Sequence, residues 1–451
     1  FYKITINTNF KLYFCYYIKL IKMKYFPINK DLFIQNRKSL ANNLQKNSTA
    51  IFNSNDVMPS NSDGTMPFIQ NSDLFWLSGI DQEESILIVH YNKSKNLFEE
   101  LLFLKETNEH IAIWEGEKLS KKNAYDVSGI KQVYWLSEFE NIFAKLIKNS
   151  KNIYLNKNMH LRATTLVQSR DDRFRILIKN QFPNKNILEV APIMQQLRSM
   201  KSEIEVDLIK SACNITEKGF RRILPFIKPG IMEYEIEAEL IHEFISNRSS
   251  RFAYQPIIGS GRNSCVLHYI ENNKKCKDGD ILLMDFGAEY ANYASDLTRT
   301  VPVNGVFSKR QKEIYRSVLH VMKEATKMLR PGVLIGDYHT EVGKIMESEL
   351  IKLKLLDYND VKKQDPKKPL YKKYFMHGTS HFLGLDVHDV GDFKRPIEAG
   401  MVFTCEPGIY VLEEEIGIRL ENDILVTESE PEDLMKNIPI EIDEIESLMN
   451  D

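Results

Sequence analysis

At 451 residues the chain is longer than the roughly 250–300 residues that one hydrophobic core usually supports, so two domains are expected. Hydrophobic residues make up 43% and charged residues 27%, a globular composition that excludes a disordered chain. Lys and Arg number 60 against 62 Asp and Glu, a formal charge of −2 that gives no reason to expect a nucleic-acid partner, and the runs Lys362-Lys363 and Lys372-Lys373 read as solvated loop surface.

The chain opens on Phe1, and residues 1–22 precede Met23. Lys3, Asn7, Asn9, Lys11 and Lys19 interrupt the apolar positions there, so the pattern of a secretory signal is not clean and no run approaches the ~20 apolar residues of a membrane span. Met23 is the expected native start, with residues 1–22 as upstream read-through or an unstructured extension, and no membrane partner is expected. Cys15, Cys213, Cys265, Cys276 and Cys405 are odd in number, scattered and without a CxxC pair, which suits a reducing cytoplasm.

Residues 23–195 alternate short apolar strands with helical stretches. Ser85-Ile86-Leu87-Ile88-Val89 and Leu101-Leu102-Phe103-Leu104 read as buried strands, so a smaller amino-terminal α/β domain is expected. It has no ligand-rich cluster, and its expected role is to shape an entrance and make subunit contacts. A linker is expected near Ala191-Pro192, and a second domain over 196–451. Ser202-Glu203-Ile204-Glu205 has the form of a capping box, and Ile204, Leu208, Ala212 and Ile215 recur at helical spacing, so a long helix begins there.

The second half repeats itself. Lys228-Pro229-Gly230-Ile231 and Arg330-Pro331-Gly332-Val333 each precede a helical stretch. Gly279 leads six residues on to Asp285-Phe286-Gly287, and Gly400 leads at the same offset to Glu406-Pro407-Gly408. In both copies a turn glycine feeds an apolar strand whose end delivers a carboxylate, so two similar halves would aim acids at a shared centre.

Asp285, Asp296, His381, Glu406 and Glu421 follow one another along this half, each in a strand or at a strand edge. Carboxylates with one imidazole suit Mn²⁺, Zn²⁺ or Co²⁺, and at least one carboxylate can bridge two ions. Two ions about 3.5–4 Å apart make water a competent nucleophile at neutral pH, which points to a two-metal hydrolase. His377, His381 and His388 place three of the ten histidines within twelve residues, and His268 lies on a strand-like segment before Asp285. Asp285-Phe286-Gly287 also fits a protein kinase, but no HRD-type loop or glycine-rich phosphate loop accompanies it.

Taken in order, Leu267-His268-Tyr269, Met284-Asp285-Phe286-Gly287, Ser295-Asp296-Leu297-Thr298-Arg299-Thr300, His377-Gly378-Thr379-Ser380-His381, Leu385-Asp386-Val387-His388-Asp389-Val390-Gly391, Glu406-Pro407-Gly408-Ile409-Tyr410 and Gly417-Ile418-Arg419-Leu420-Glu421-Asn422-Asp423 resemble the motif set of aminopeptidase P. This is the Xaa-Pro aminopeptidase branch of the pita-bread metallopeptidases. The likeness runs from about residue 24 onward and includes a weaker similarity around Phe75-Trp76-Leu77-Ser78-Gly79.

The resemblance implies a carboxy-terminal pita-bread catalytic domain, a duplicated α+β fold, working with two divalent ions, manganese expected and cobalt or zinc tolerated. It implies that Asp285 chelates one ion, that Asp296 and Glu421 bridge both, and that His381 and Glu406 complete the set. A bridging hydroxide would attack the carbonyl of the first residue of a peptide whose second residue is proline. Glu406 would move the proton, His388 would steady the oxyanion, and His268 would contact the substrate backbone. His377, Tyr410 and Arg419 would surround the proline ring, which offers shape but no N–H, and Tyr254 would floor the pocket for the first residue. A homo-oligomer, dimer or higher, is the expected assembly.

Two stretches depart from some relatives. Glu413-Glu414-Glu415 reads as a solvated hairpin tip, and Leu355 to Tyr374, with Pro366 and Pro369, reads as a polar surface loop. A prolidase acting only on Xaa-Pro dipeptides would use the same five ligands, but Ser380 favours the aminopeptidase. Methionine aminopeptidase lacks a large amino-terminal domain, and creatinase-like relatives and the non-catalytic binding modules of this fold have lost ligands that are all present here.

Overall fold

The computed structural model describes residues 24–160 and 162–450, so the expectations placed on residues 1–22 and Met23 lie outside them. The chain divides into two compact units between Leu197 and Arg198. The stretch around Ala191-Pro192, expected as a linker, instead opens a helix, Ala191–Ser199. Pro192 sits in its first turn, where a missing N–H costs no intrahelical bond.

In the first unit, strands β1 (Ser48–Asn53), β2 (Ile86–Asn92), β3 (Leu97–Leu104), β4 (Gln132–Trp135), β5 (Asn152–Leu155) and β6 (Asn186–Glu189) form one sheet in the order β4-β3-β2-β1-β5-β6. β1, β2 and β3 run antiparallel as a meander, and the outer pairs are parallel. The register sets Ile51 opposite Ile88 and Ile88 opposite Leu101, so branched residues share one face. Phe143 and Ile147 of helix Phe139–Asn149 and Ile178 of helix Arg170–Gln181 cover that face.

The second unit begins at the expected capping box. The Ser202 hydroxyl accepts from the Glu205 N–H, the Glu205 carboxylate accepts from the Ser202 N–H at 2.9 Å, and helix Glu203–Ile223 follows. The unit is built twice. The first copy pairs that helix with Glu233–Ser246 and carries β7 (Ile257–Ser260), β8 (Ile281–Phe286), the short hairpin β9 (Glu289–Tyr290) and β10 (Tyr293–Ala294), and β11 (Leu297–Pro302), with β8 central between β7 and β11. The second pairs helices Lys309–Met328 and Ile335–Lys352 and carries β12 (Val402–Cys405), the hairpin β13 (Gly408–Val411) and β14 (Ile416–Arg419), β15 (Asn422–Leu425) and β16 (Glu432–Asp433).

The repeat read from the glycines extends to the hydrogen bonds. The Gly230 N–H donates to Cys276 and the Cys276 N–H returns to Ile231, both at 2.8 Å; Gly332 donates to Ile397 at 2.9 Å and Ile397 returns to Val333 at 2.8 Å. Gly279 and Gly400 then make the turns into β8 and β12. All four glycines have positive φ, 101° and 88° for the first pair and 82° and 94° for the second. A Cβ on Gly230 or Gly332 would meet nothing within 4 Å, so only the backbone demands glycine there. We therefore expect Gly332→Ala to cost about 1–2 kcal/mol, the left-handed penalty alone, read by chemical denaturation; a neutral result would contradict this origin.

The Leu355 to Tyr374 stretch is not a loop throughout. Asp357 caps helix Tyr358–Lys363 by accepting from the Asn359 and Asp360 N–H groups, and Leu370–Lys373 forms a 3₁₀ turn. An aspartate immediately before the segment was the readable signal. The Glu413–Glu415 tip does join β13 to β14, but Arg310 clamps Glu414 through two nitrogens at 2.8 Å, so it is tethered at one acid.

Candidate metal centre and active site

The duplication delivers the five ligand candidates in related ways. Asp285 sits near the end of β8, and Glu406 directly follows β12. Asp296 directly precedes β11, and Glu421 directly precedes β15. β8 pairs antiparallel with β11 and β12 with β15, so each copy brings two acids to one sheet edge. The copies meet where Thr298 and Glu421 form a bridge, with the Glu421 N–H donating to the Thr298 carbonyl at 3.1 Å. Fully buried Arg299 locks the junction, donating to the Glu421 carbonyl and the Asn422 side chain at 2.8 Å.

His381 comes from the segment beside β12. The Thr404 N–H donates to the His381 carbonyl at 3.0 Å and the Glu406 N–H to the Thr379 carbonyl at 2.8 Å, which sets His381 and Glu406 side by side. Ligand atoms of Asp296, His381 and Glu421 lie within 4.8 Å of one another. His381 Nε2 is 3.4 Å from Asp296 Oδ2 and 3.7 Å from Glu406 Oε1. Its Nδ1 lies 3.0 Å from the Phe382 carbonyl, so Nδ1 carries the proton and Nε2 faces the acids. Asp285 joins through Tyr254, whose hydroxyl reaches Asp285 Oδ1 at 2.6 Å and Asp296 Oδ1 at 2.5 Å.

Four carboxylates are thus gathered with one guanidinium, Arg419, and one imidazole. Before any metal is counted, burial pushes Glu406 up to about 7 against the pull of His381 and Arg419. Burial also raises Asp285, though Arg419 opposes it, and raises Glu421 well above the carboxylate range with help from Asp296 and Glu406. Burial lowers His381, but its hydrogen bond with Asp296 and the charge of Glu406 outweigh this and carry it up to about 9. Acids lifted by burial and, second to it, by one another's charge, with a histidine nitrogen aimed among them, are a donor set suited to divalent cations, which would displace those protons.

Arg419 is the hub of the supporting bonds, a role the sequence reading did not give it. Nη2 pairs with Asp285, Nη1 donates to the Tyr410 hydroxyl at 3.0 Å, and Nε donates to Thr298 Oγ1 at 2.9 Å. Thr298 in turn donates to Glu421 at 2.6 Å. Tyr410 Oη lies 2.8 Å from His377 Nε2, and His377 Nδ1 lies 2.8 Å from the Gly378 carbonyl. The donors therefore run in one direction: Arg419 to Tyr410, Tyr410 to His377, His377 to backbone. His377 Nδ1 is also 3.6 Å from Glu406.

His388 stacks edge-to-face on His381 with ring centroids 4.4 Å apart. Tyr254 commits its hydroxyl between two acids, Asp285 and Asp296. One expectation needs correction. His268 is on an exposed turn after the 3₁₀ segment Gly261–Cys265, not on a strand, and reaches the site's surroundings through its neighbours Leu267 and Tyr269, which pack in the cluster containing Tyr410. Asn272, buried with φ 44°, holds that turn by accepting from the Ile258 N–H at 3.0 Å. The apolar residues flanking His268 suggested a strand, while Gly261 and the Asn272-Asn273 pair were the turn signals.

Residues 207–428 match Metallopeptidase family M24, and residues 33–154 match the Aminopeptidase P, N-terminal domain. A Xaa-Pro aminopeptidase of Haemophilus influenzae is 35% identical over 93% of this chain and 97% of its own length. The chain belongs to the aminopeptidase P family. A putative aminopeptidase P from Bacillus anthracis superposes with a TM-score of 0.87 at 34% identity, covering 94% of this chain and 99% of that one. A zinc-substituted Escherichia coli aminopeptidase P in complex with product superposes at 0.83 with 32% identity and the same coverage. The duplicated unit is therefore the pita-bread catalytic fold of aminopeptidase P, preceded by the family's α/β domain, and the chain is a metal-dependent hydrolase of the Xaa-Pro aminopeptidase type. Tyr254 and Arg419 enter the network through contacts 31 and 134 residues away from Asp285, which no local pattern announces.

Proposed function

We propose that Asp285, Asp296, His381, Glu406 and Glu421 hold two divalent ions, manganese in the cell, and that the site releases the first residue from peptides with proline second. The convergence of Asp296, His381 and Glu421 within 4.8 Å, flanked by Asp285 and Glu406, carries this reading. When bound, such ions would acidify water and polarise a carbonyl.

Glu406 stands 3.7 Å from His381 Nε2 with the other carboxylate oxygen toward His377, so it can take a proton from the nucleophile and return it to the proline nitrogen, general acid/base work of roughly 10²–10⁴-fold. His388, held against His381, would donate to the developing oxyanion. His377, fixed by Tyr410 and Arg419, would present its ring to the proline, and His268 would guide the incoming peptide from its exposed turn.

The test compares an Xaa-Pro-Xaa tripeptide with the Xaa-Pro dipeptide before and after chelation. The tripeptide should be preferred by at least about tenfold, 1.4 kcal/mol of transition-state binding, and both activities should vanish on chelation and return with Mn²⁺. Preference for the dipeptide would make the chain a prolidase.

We further infer a cytoplasmic homo-oligomer. Cys213, Cys265, Cys276 and Cys405 are free, and no described helix is long and apolar enough to cross a membrane. The amino-terminal unit exposes Ile113, Trp114 and Leu166 at 78%, 79% and 99%, apolar area suited to subunit contacts. Sedimentation at a monomer's mass would refute the oligomer.

A further inference from the structure

His388 lies in a segment, Gly384 to Gly391, that contains neither helix nor strand. Backbone bonds hold its start, the Ala294 N–H donating to the Gly384 carbonyl at 2.8 Å, the Gly384 N–H to the Asp386 carbonyl at 3.1 Å and the Asp389 N–H to the Phe382 carbonyl at 2.9 Å. The firmer hold is ionic. Asp389, adjacent to His388, receives Arg198 Nη2 on Oδ1 at 2.5 Å and Lys201 Nζ on Oδ2 at 3.1 Å. The side chains of Lys201 and Asp389 are each 1% exposed and that of Arg198 is 4% exposed. Lys201 is itself fixed, its N–H donating to the Gly400 carbonyl at 2.8 Å beside the turn into β12.

Burying charges this fully is a poor route to stability, because apolar residues of similar volume often do as well. A steering effect on substrate is also a poor explanation. Arg198 pairs with Asp386 as well, at 2.7 Å, so two cations meet two anions and the cluster has no net charge to project. What the cluster does supply is geometry. Each oxygen of Asp389 has its own cation, so the carboxylate cannot rotate, and the peptide carrying His388 is fixed with it. The packing is also tight: a Cβ on Gly384 would collide with the Asp389 carboxylate and touch Lys201 Cε, so the segment closes directly onto the ion cluster.

We propose that Arg198, Lys201 and Asp389 are positioning residues that act through His388, fixing the ring's approach to His381 and hence the donor offered to the reaction. This rests on the role assigned above to His388. The kinetic signature is a loss in kcat with little change in KM, since the contact matters as charge develops and not for binding the peptide.

The test is a double-mutant cycle on the full metal-loaded chain, with His388→Ala, Asp389→Asn and the combination. His388→Ala should lower kcat. Asp389→Asn should lower it about 10–100-fold, the range of orienting partners, with KM within about threefold and metal content unchanged. In the combined variant the loss should equal that of His388→Ala alone, because residues acting through one group are not additive. Lys201→Gln, which keeps the Arg198 pair, and Gly384→Ala should give the same pattern more weakly if Asp389→Asn folds poorly. Multiplying losses in the cycle would mean that Asp389 acts independently of His388 and would overturn the proposal alone. An undiminished kcat in His388→Ala would overturn the role of His388 and the proposal with it.

Discussion

Asp296→Ala should abolish turnover and strip bound metal while leaving the chain folded. The backbone at Asp296 is held independently of the side chain, because its N–H donates to Asp423 Oδ2 at 3.1 Å and the neighbouring Ser295 hydroxyl donates to the Ala288 carbonyl at 2.9 Å. Without metal, the Asp296 carboxylate is one of the charges that drive Glu421 upward, so its removal relieves repulsion. Its bonds to the Tyr254 hydroxyl and to His381 Nε2 are lost as well and offset that relief, so the metal-free variant should melt close to the metal-free parent. The loss should appear when metal is added. For the parent, metal at one hundred times its Kd contributes about 2.7 kcal/mol, which for a unit of this size raises Tm by about 5–10 °C; the variant should gain little. Metal analysis, melting with and without Mn²⁺ and peptide hydrolysis check the three parts. Full activity in the variant would remove Asp296 from the centre.

The acids were legible in the sequence because strand ends delivered them twice. Gly279 and Gly400, six residues before Asp285 and Glu406, exposed the duplication, and the left-handed backbone at both glycines is the physical content of that repeat. His381 was legible through its crowd of histidines. What could not be read were partners supplied by distant chain: Tyr254 between Asp285 and Asp296, Thr298 beneath Glu421, and Arg198 with Lys201 behind His388. Each is a tertiary contact with no local period, and such long-range pairings leave no trace in composition or spacing. Pro192 misled in the opposite sense. A proline that reads as a linker signal is equally at home in the first turn of a helix, and only the packed structure distinguishes the two.

Arg419→Met should have a different signature from Asp296→Ala, destabilising most where Asp296→Ala destabilises least. The guanidinium is 4% exposed and serves three acceptors: Asp285, Tyr410 and Thr298. Removing it leaves Asp285 buried without its ion-pair partner, a loss of about 3–5 kcal/mol for a broken buried pair. That loss belongs to the metal-free protein. A divalent ion on Asp285 would compensate the carboxylate in its place, so in the loaded enzyme only the bonds to Tyr410 and Thr298 are lost, about 1–3 kcal/mol for polar groups left unsatisfied. Added Mn²⁺ should accordingly raise the Tm of Arg419→Met by more than it raises the parent's, the reverse of the Asp296→Ala result. Turnover should still fall about 10–100-fold, because Tyr410 loses the donor that aims its hydroxyl at His377 and Thr298 is freed beneath Glu421. Arg419→Lys should not restore it, since an ammonium cannot span three acceptors set by a planar fork. Equal metal-induced shifts in parent and Arg419→Met would mean that Asp285 does not exchange its guanidinium partner for a metal ion.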